Sequence, residues 1–335
     1  MKPKLLIVEL WGLGDLVIGT PLLRAAAERF DVTLLAKPYA LELQPRLWPN
    51  IKVYPFDAPW TAFEKKYQLW NWPLLEMLRL RRALAAERFD FGLSARWARQ
   101  GGDPRDHLLL KIVGAKERIG FPRTGSQIFL TQPLARPAPE AHRYESWRLA
   151  GKALGIELPP RDQLVPAPRE QQKTILIHSG ARLPARVWPL QNWQRLAFHL
   201  RQKNYAVQIA CDANQENWWK ENGEAEIICP RSVAALLSLV DRVGVLLGND
   251  SGPGHLAAFC GVPTFTIFGP QLQEWFIPLH PQAELVEGKA CPYKPCSDYC
   301  RYSRPFCIQD LTEGEVLPRI EQFVRKHIAA NGSTG

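Results

Sequence analysis

The chain has 335 residues, 46% of them apolar and 22% charged, which is enough for two domains with real cores and excludes long disordered tracts. Lys and Arg number 42 against 33 Asp and Glu, a net charge of +9 that suits an anionic partner: a phosphorylated substrate, a nucleic acid or an anionic membrane. The basic residues are dispersed and no RNA- or DNA-binding signature is present, which sets nucleic acid aside, and no apolar stretch approaches the roughly 20 residues that span a bilayer.

Lys2-Pro3-Lys4 precedes the apolar run Leu5-Leu6-Ile7-Val8-Glu9-Leu10. Glu9 interrupts that run after four residues, so a buried strand is preferred to a signal peptide and a soluble, cytoplasmic chain is expected. A turn follows at 12–14, then a helix at 21–29 opened by Pro21, where a missing N–H does no harm. Strands are predicted at 32–36 and 51–54, a helix with a basic face at 74–87, and a strand at 89–93. This βαβ rhythm implies a parallel, doubly wound sheet. The run 158–168 is rich in Pro and polar residues and reads as a linker.

The rhythm then restarts. Strands are predicted at 174–178, 207–211, 243–248 and 264–268, with helices at 193–203, 233–240 and 254–260. An amphipathic helix at 313–329 closes the chain. The expected organisation is a Rossmann-like domain at 1–160, a second at 173–310, and a C-terminal helix at 311–330 packing back on the first domain. Two such domains would leave an interdomain cleft, with ligands beyond the carboxyl ends of the strands.

Five constellations could carry chemistry. Gly12-Leu13-Gly14-Asp15-Leu16-Val17 follows the first strand, but Val17 stands where a dinucleotide loop needs its third Gly. No acidic residue ends the second strand, which disfavours a nicotinamide-dependent oxidoreductase. Asp15 would sit on this loop, either as a reactive carboxylate or as a helix cap. Gly248-Asn249-Asp250-Ser251-Gly252-Pro253-Gly254-His255 follows a strand and opens a helix, an arrangement that can bind a diphosphate through backbone N–H groups. Asp250 would repel that diphosphate if it pointed inward. After the first strand of the second half comes His178-Ser179-Gly180-Ala181-Arg182, then Arg186-Val187-Trp188-Pro189, whose two arginines would clamp a phosphate or remain solvated.

Cys291, Cys296, Cys300 and Cys307 lie within 17 residues. They read as a structural zinc or iron–sulfur site or as free thiols, with no disulfide scaffold expected from seven cysteines in a chain without an export signal. The segment from Trp60 to Arg82 mixes Trp60, Lys65, Lys66, Trp70, Trp72, Leu74, Leu75, Leu78, Arg79, Arg81 and Arg82. It reads as a membrane or lipid-acceptor surface, or as a core-facing helix with a solvated basic face.

The run from Leu10 through Trp11-Gly12-Leu13-Gly14-Asp15 to Leu23 resembles the N-terminal motif of glycosyltransferase family 9, the ADP-heptose:lipopolysaccharide heptosyltransferases. The run from Asn249 through Asp250-Ser251-Gly252-Pro253-Gly254-His255 to Ala258 resembles that family's second motif. Arg118-Ile119-Gly120-Phe121, His178-Ser179-Gly180-Ala181, Phe268-Gly269-Pro270 and the cysteine-bearing tail are also similar, in the same order.

The resemblance implies an α/β chain of GT-B fold and inverting, metal-independent transfer of a heptose from ADP-heptose to a lipopolysaccharide inner core or related saccharide, with no cofactor required. Asp15 would be the catalytic base. His178, Ser179, Gly180, Arg182, Arg186, Glu216, Asp250, Ser251, Gly252 and His255 would bind the donor, and Gly12, Gly14 and Thr20 would lie on the acceptor side. Arg186 stands where the family often has Lys, and the surroundings of Glu216 depart from the family's Gly-rich form. The expected partners are a nucleotide sugar, a saccharide or lipid-linked acceptor, and the inner face of the cytoplasmic membrane, where the chain would be peripheral. The competing readings are a glycosyltransferase with another nucleotide sugar and a non-catalytic sugar-nucleotide or saccharide-binding protein.

Overall fold

A computed structural model describes residues 2–62, 68–97, 101–296 and 299–328. The chain divides into two compact units, Met1–Pro160 and Arg161–Gly335.

The first unit holds six strands: β1 (Lys4–Glu9), β2 (Asp31–Ala36), β3 (Lys52–Pro55), β4 (Phe91–Ser94), β5 (Glu117–Gly120) and β6 (Gln132–Pro133). All pair in parallel in the order β3-β2-β1-β4-β5-β6. Its helices are α1 (Leu13–Ile18), α2 (Thr20–Arg29), α3 (Ala40–Leu47), α4 (Leu74–Glu87), α5 (Pro104–Ile112) and α6 (Arg143–Ala153). Strand β1 is central and Leu5 through Val8 are fully buried, as a parallel strand covered on both faces requires.

The second unit repeats the scheme with β7 (Thr174–His178), β8 (Ala206–Ala210), β9 (Val245–Asn249), β10 (Thr264–Phe268) and β11 (Glu284–Glu287), ordered β11-β10-β9-β7-β8 and all parallel. Its helices are α7 (Leu190–Gln202), α8 (Glu216–Glu221), α9 (Val233–Val240), α10 (Gly252–Phe259), α11 (Gln273–Phe276), α12 (Phe306–Gln309) and α13 (Glu313–His327). The α/β class and the doubly wound parallel sheets are as the sequence predicts. Strands β5, β6 and β11 and helices α1, α3, α5, α6, α8, α11 and α12 are additions to it. Strand β5 is four residues long with Arg118 inside it, which masks its apolar pattern.

One expectation is corrected. Asp15 is not on a loop: a helix begins at Leu13, because Leu16, Val17 and Ile18 turn into the core within one amphipathic turn. Val316, Ile320, Phe323 and Val324 of α13 are buried in the second unit's own core with Trp193, Leu196 and Phe265. Among the described residues no helix is long and apolar enough to cross a membrane.

Candidate active site

In each unit the strand order reverses beside the first strand. In the first unit β1 is flanked by β2 and β4, so chains leaving β1 and β4 turn away from each other and open a crevice at the strands' carboxyl ends. Glu9 ends β1, Asp15 follows it, and Arg96 lies just beyond β4. Arg143, the first residue of α6, joins them.

The four charges interlock. Asp15 Oδ1 lies 3.1 Å from Arg96 Nη1 and 3.2 Å from Arg143 Nε. Its other oxygen accepts the Gly12 N–H at 3.3 Å. One oxygen thus caps α1 and the other faces two guanidiniums. Arg96 also lies over the Trp11 ring, 4.2 Å from its centroid. Glu9 is 2% exposed and accepts the Trp11 N–H at 3.0 Å. Burial, and then the Asp15 charge, push its carboxyl up to about 7. Burial, and then Arg96, bring Arg143 down to about 10, so it stays cationic at neutral pH.

Close packing holds this cluster. A Cβ on Gly19, between α1 and α2, would come within 2.5 Å of the Trp147 ring of α6, so only glycine lets these helices meet there. Gly12 and Gly14 are half-buried beside Asp15. Thr20 is fully buried at the start of α2, which removes it from an open acceptor loop.

The second unit's crevice opens between β7 and β9. Asn249, at the end of β9, pins the loop that follows β7 at both ends. Its amide donates to Ser179 O at 2.8 Å, and its Oδ1 accepts the Trp188 N–H at 3.0 Å. Ser179 is fully buried, and its hydroxyl donates to Gln215 Oε1 at 2.9 Å and accepts the Trp219 indole N–H at 3.0 Å. The residue expected to touch the donor is thus occupied in holding the loop. A Cβ on Gly180 would lie 2.4 Å from the Asp212 carboxyl. His178 is buried, and that burial keeps its imidazole below the ordinary range and neutral at pH 7.

Helix α10 starts without a side-chain cap: the Ser251 hydroxyl turns back to Asn249 O at 3.2 Å. Its first turn therefore presents backbone N–H groups and the positive end of the helix dipole to an incoming anion. Gly252 opens that turn and His255 is buried within it. Asp250, 3% exposed, is compensated by Arg186, whose Nη1 lies 3.2 Å from Oδ2. Arg186 thus neutralises a carboxylate that would repel a diphosphate, and is not a free clamp paired with Arg182, which is exposed. Glu216, on α8, is tied to Lys220 at 2.8 Å and to Arg231, away from the role of a solitary ribose contact.

Cys291, Cys296, Cys300 and Cys307 form no disulfide, and among the described residues no three His, Cys, Asp or Glu side chains are grouped to hold a metal ion. Cys296 and Cys300 direct their sulfurs to the Tyr293 and Arg304 carbonyls, and Cys307 is buried in α12.

The sequence pattern singles out Asp15 but not Glu9, Arg96 or Arg143. An acidic residue at the end of an otherwise apolar strand is the available signal for Glu9. Arg96 is found only once β4 is known to pair with β1, and Arg143 has no local signal.

A model of glycosyltransferase family 9 (heptosyltransferase) matches residues 77–304. Lipopolysaccharide heptosyltransferase 1 of Pseudomonas aeruginosa is 25% identical over 249 residues, 64% of this chain and 70% of that protein. Among solved structures, E. coli heptosyltransferase WaaC with ADP is similar with a TM-score of 0.72 at 17% identity, covering 96% of this chain and 99% of that one. E. coli ADP-heptose lps heptosyltransferase II is similar with a TM-score of 0.71 at 18% identity, covering 97% and 99%. Both likenesses are to the GT-B fold.

Proposed function

This chain belongs to glycosyltransferase family 9, the heptosyltransferases, and from that premise we propose that it transfers a heptose from ADP-heptose to a lipopolysaccharide inner-core or related, lipid-linked saccharide, with inversion and without a metal ion. The observation that carries this reading is the Asp15 carboxylate in the first turn of α1, just after β1, oriented by Arg96 and Arg143. Asp15 takes the proton from an acceptor hydroxyl as that oxygen bonds to the anomeric carbon. The bond from that carbon to the diphosphate breaks on the opposite side, and ADP leaves with the electron pair. Negative charge gathering on the diphosphate is met by the uncapped N-terminus of α10, with Asp250 silenced by Arg186. These groups supply the positive potential that a metal ion provides elsewhere. Acceptors of this kind are lipid-anchored, so the reaction would take place at the cytoplasmic face of a membrane.

The donor is supported by relatives solved with ADP and with ADP-2-deoxy-2-fluoro heptose. The ion pairs of Glu216 argue for testing other nucleotides alongside. Thermal shifts with ADP, UDP and GDP, followed by transfer assays with ADP-heptose, test the proposal. ADP should raise the melting temperature by linkage and ADP-heptose should be consumed only with a saccharide acceptor. A shift with UDP or GDP alone reassigns the donor. Binding without turnover under any acceptor identifies a sugar-nucleotide-binding protein.

A further inference from the structure

Helix α4 divides its side chains in an uneconomical way for a soluble surface. Met77, Leu80 and Leu84, spaced at helical intervals, pack inward against the core that holds Trp60 and Leu110. Trp60 and Trp72 are also turned to this core, their ring centroids 5.8 Å apart. That would suffice to hold the helix. Yet Leu69, Trp70, Leu74, Leu75 and Leu78 are 48 to 80% exposed, with Trp70 the most exposed of them.

On the helical wheel Leu74 and Leu78 fall on one stripe, Arg82 continues it, and Leu75 and Arg79 lie beside it one turn apart. Arg81 borders the other side. Arg79, Arg81 and Arg82 are all exposed, and among the described residues none of the three is in an ion pair. The face is thus a mixed apolar and cationic one, with Trp70 at the tip before the helix begins. Lys65 and Lys66 lie outside the described residues.

Single exposed apolar residues are ordinary; five in one short segment are not. A protein partner could bury the leucines, but three unpaired arginines set among them need negative charge at the rim of the same apolar surface. An anionic bilayer offers that combination: acyl chains for Trp70, Leu74, Leu75 and Leu78, and headgroup phosphates for the arginines. We propose that the exposed face of α4, with Trp70 and Leu69 before it, docks on an anionic lipid bilayer with the helix lying in the interface. The proposal deepens the lipid-linked acceptor reading given above, for which it supplies the contact surface, but its test needs no nucleotide sugar, so the two fail separately.

The test is co-sedimentation of the full chain with vesicles of phosphatidylcholine alone and of phosphatidylcholine with phosphatidylglycerol, at low and high salt. Binding is expected to the anionic vesicles only, weakened by salt. Trp70→Ser/Leu75→Ser and Arg79→Glu/Arg82→Glu should each weaken it about tenfold or more, because each removes either apolar burial or charge attraction. Both pairs are exposed, so their melting temperatures should stay at that of the parent. The proposal is overturned by equal binding to neutral vesicles, by no binding at all, or by anionic binding that both double variants retain. It is also overturned if the chain dimerises without lipid and Trp70→Ser/Leu75→Ser abolishes the dimer, which would assign the face to a second copy.

Discussion

The crevice of the first unit is built from side-chain charge, and that of the second from backbone and shape. In the first, Glu9, Asp15, Arg96 and Arg143 face one another, two acids against two guanidiniums. In the second, the buried carboxylate of Asp250 is matched by Arg186, and the open valence is an uncapped helix start. Both stand at the same topological position, where the sheet's strand order reverses. The lesson is that one architecture supports two kinds of site. A carboxylate fixed by two guanidiniums is an oriented hydrogen-bond acceptor, whereas fixed N–H groups at a helix start are oriented donors.

The sharpest way to break this division is Asp15→Asn. Turnover should fall about 10²- to 10⁴-fold, the range for a lost general base, with nucleotide binding retained. A variant within tenfold of the parent would remove Asp15 from the chemistry and leave its structural role, the capping bond to Gly12 and the pairing with Arg96 and Arg143.

Gly19→Ala attacks the scaffold of the same cluster. The added Cβ meets the buried Trp147 ring at 2.5 Å, so a destabilisation of about 1–3 kcal/mol is expected. Turnover should drop with it, because α6 carries Arg143. Chemical denaturation of the variant measures the first effect, and an unchanged midpoint would show that α2 and α6 can part without loss.

Arg186→Gln probes the second crevice. It leaves Asp250 buried and uncompensated, so ADP affinity should weaken about tenfold and stability should fall. Adding Asp250→Asn should restore most of both. If calorimetry finds the double variant still weak, Arg186 touches the phosphates itself and the second crevice relies on side-chain charge after all.

The smallest effect is a pH dependence confined to the first unit. The Glu9 carboxyl, usually near 4.5, is raised to about 7 by burial and then by Asp15. The stability this proton contributes is complete below about pH 4.5 and is lost as pH climbs through 7. Glu9→Gln should therefore melt higher than the parent at alkaline pH, by about 2–4 °C for each kcal/mol gained, and show no gain at pH near 4. A gain independent of pH would mean that Glu9 is not the titrating group.

The two βαβ series and the motifs at their switch points were legible in the sequence, because apolar periodicity and glycine- and proline-bearing turns are local properties. Asp15, Asp250 and the helix start at Gly252 could be found that way. The state of each residue could not. Ser179 and Thr20 read as polar loop residues, but tertiary packing buries both. Arg186 reads as a phosphate clamp, but the fold sets Asp250 against it.

The sequence by itself determined an α/β chain with two Rossmann-like halves, a carboxylate after the first strand, and a Gly- and Pro-bearing turn that opens the helix starting at Gly252. Only the tertiary structure decided which charges meet. Arg96 reaches Asp15 because β4 pairs with β1, and Arg143 reaches it because Gly19 lets α6 close on α2. The physical reason is range: helix and strand patterns depend on neighbours a few residues away, whereas charge compensation and burial depend on distance through space, which the order of strands sets.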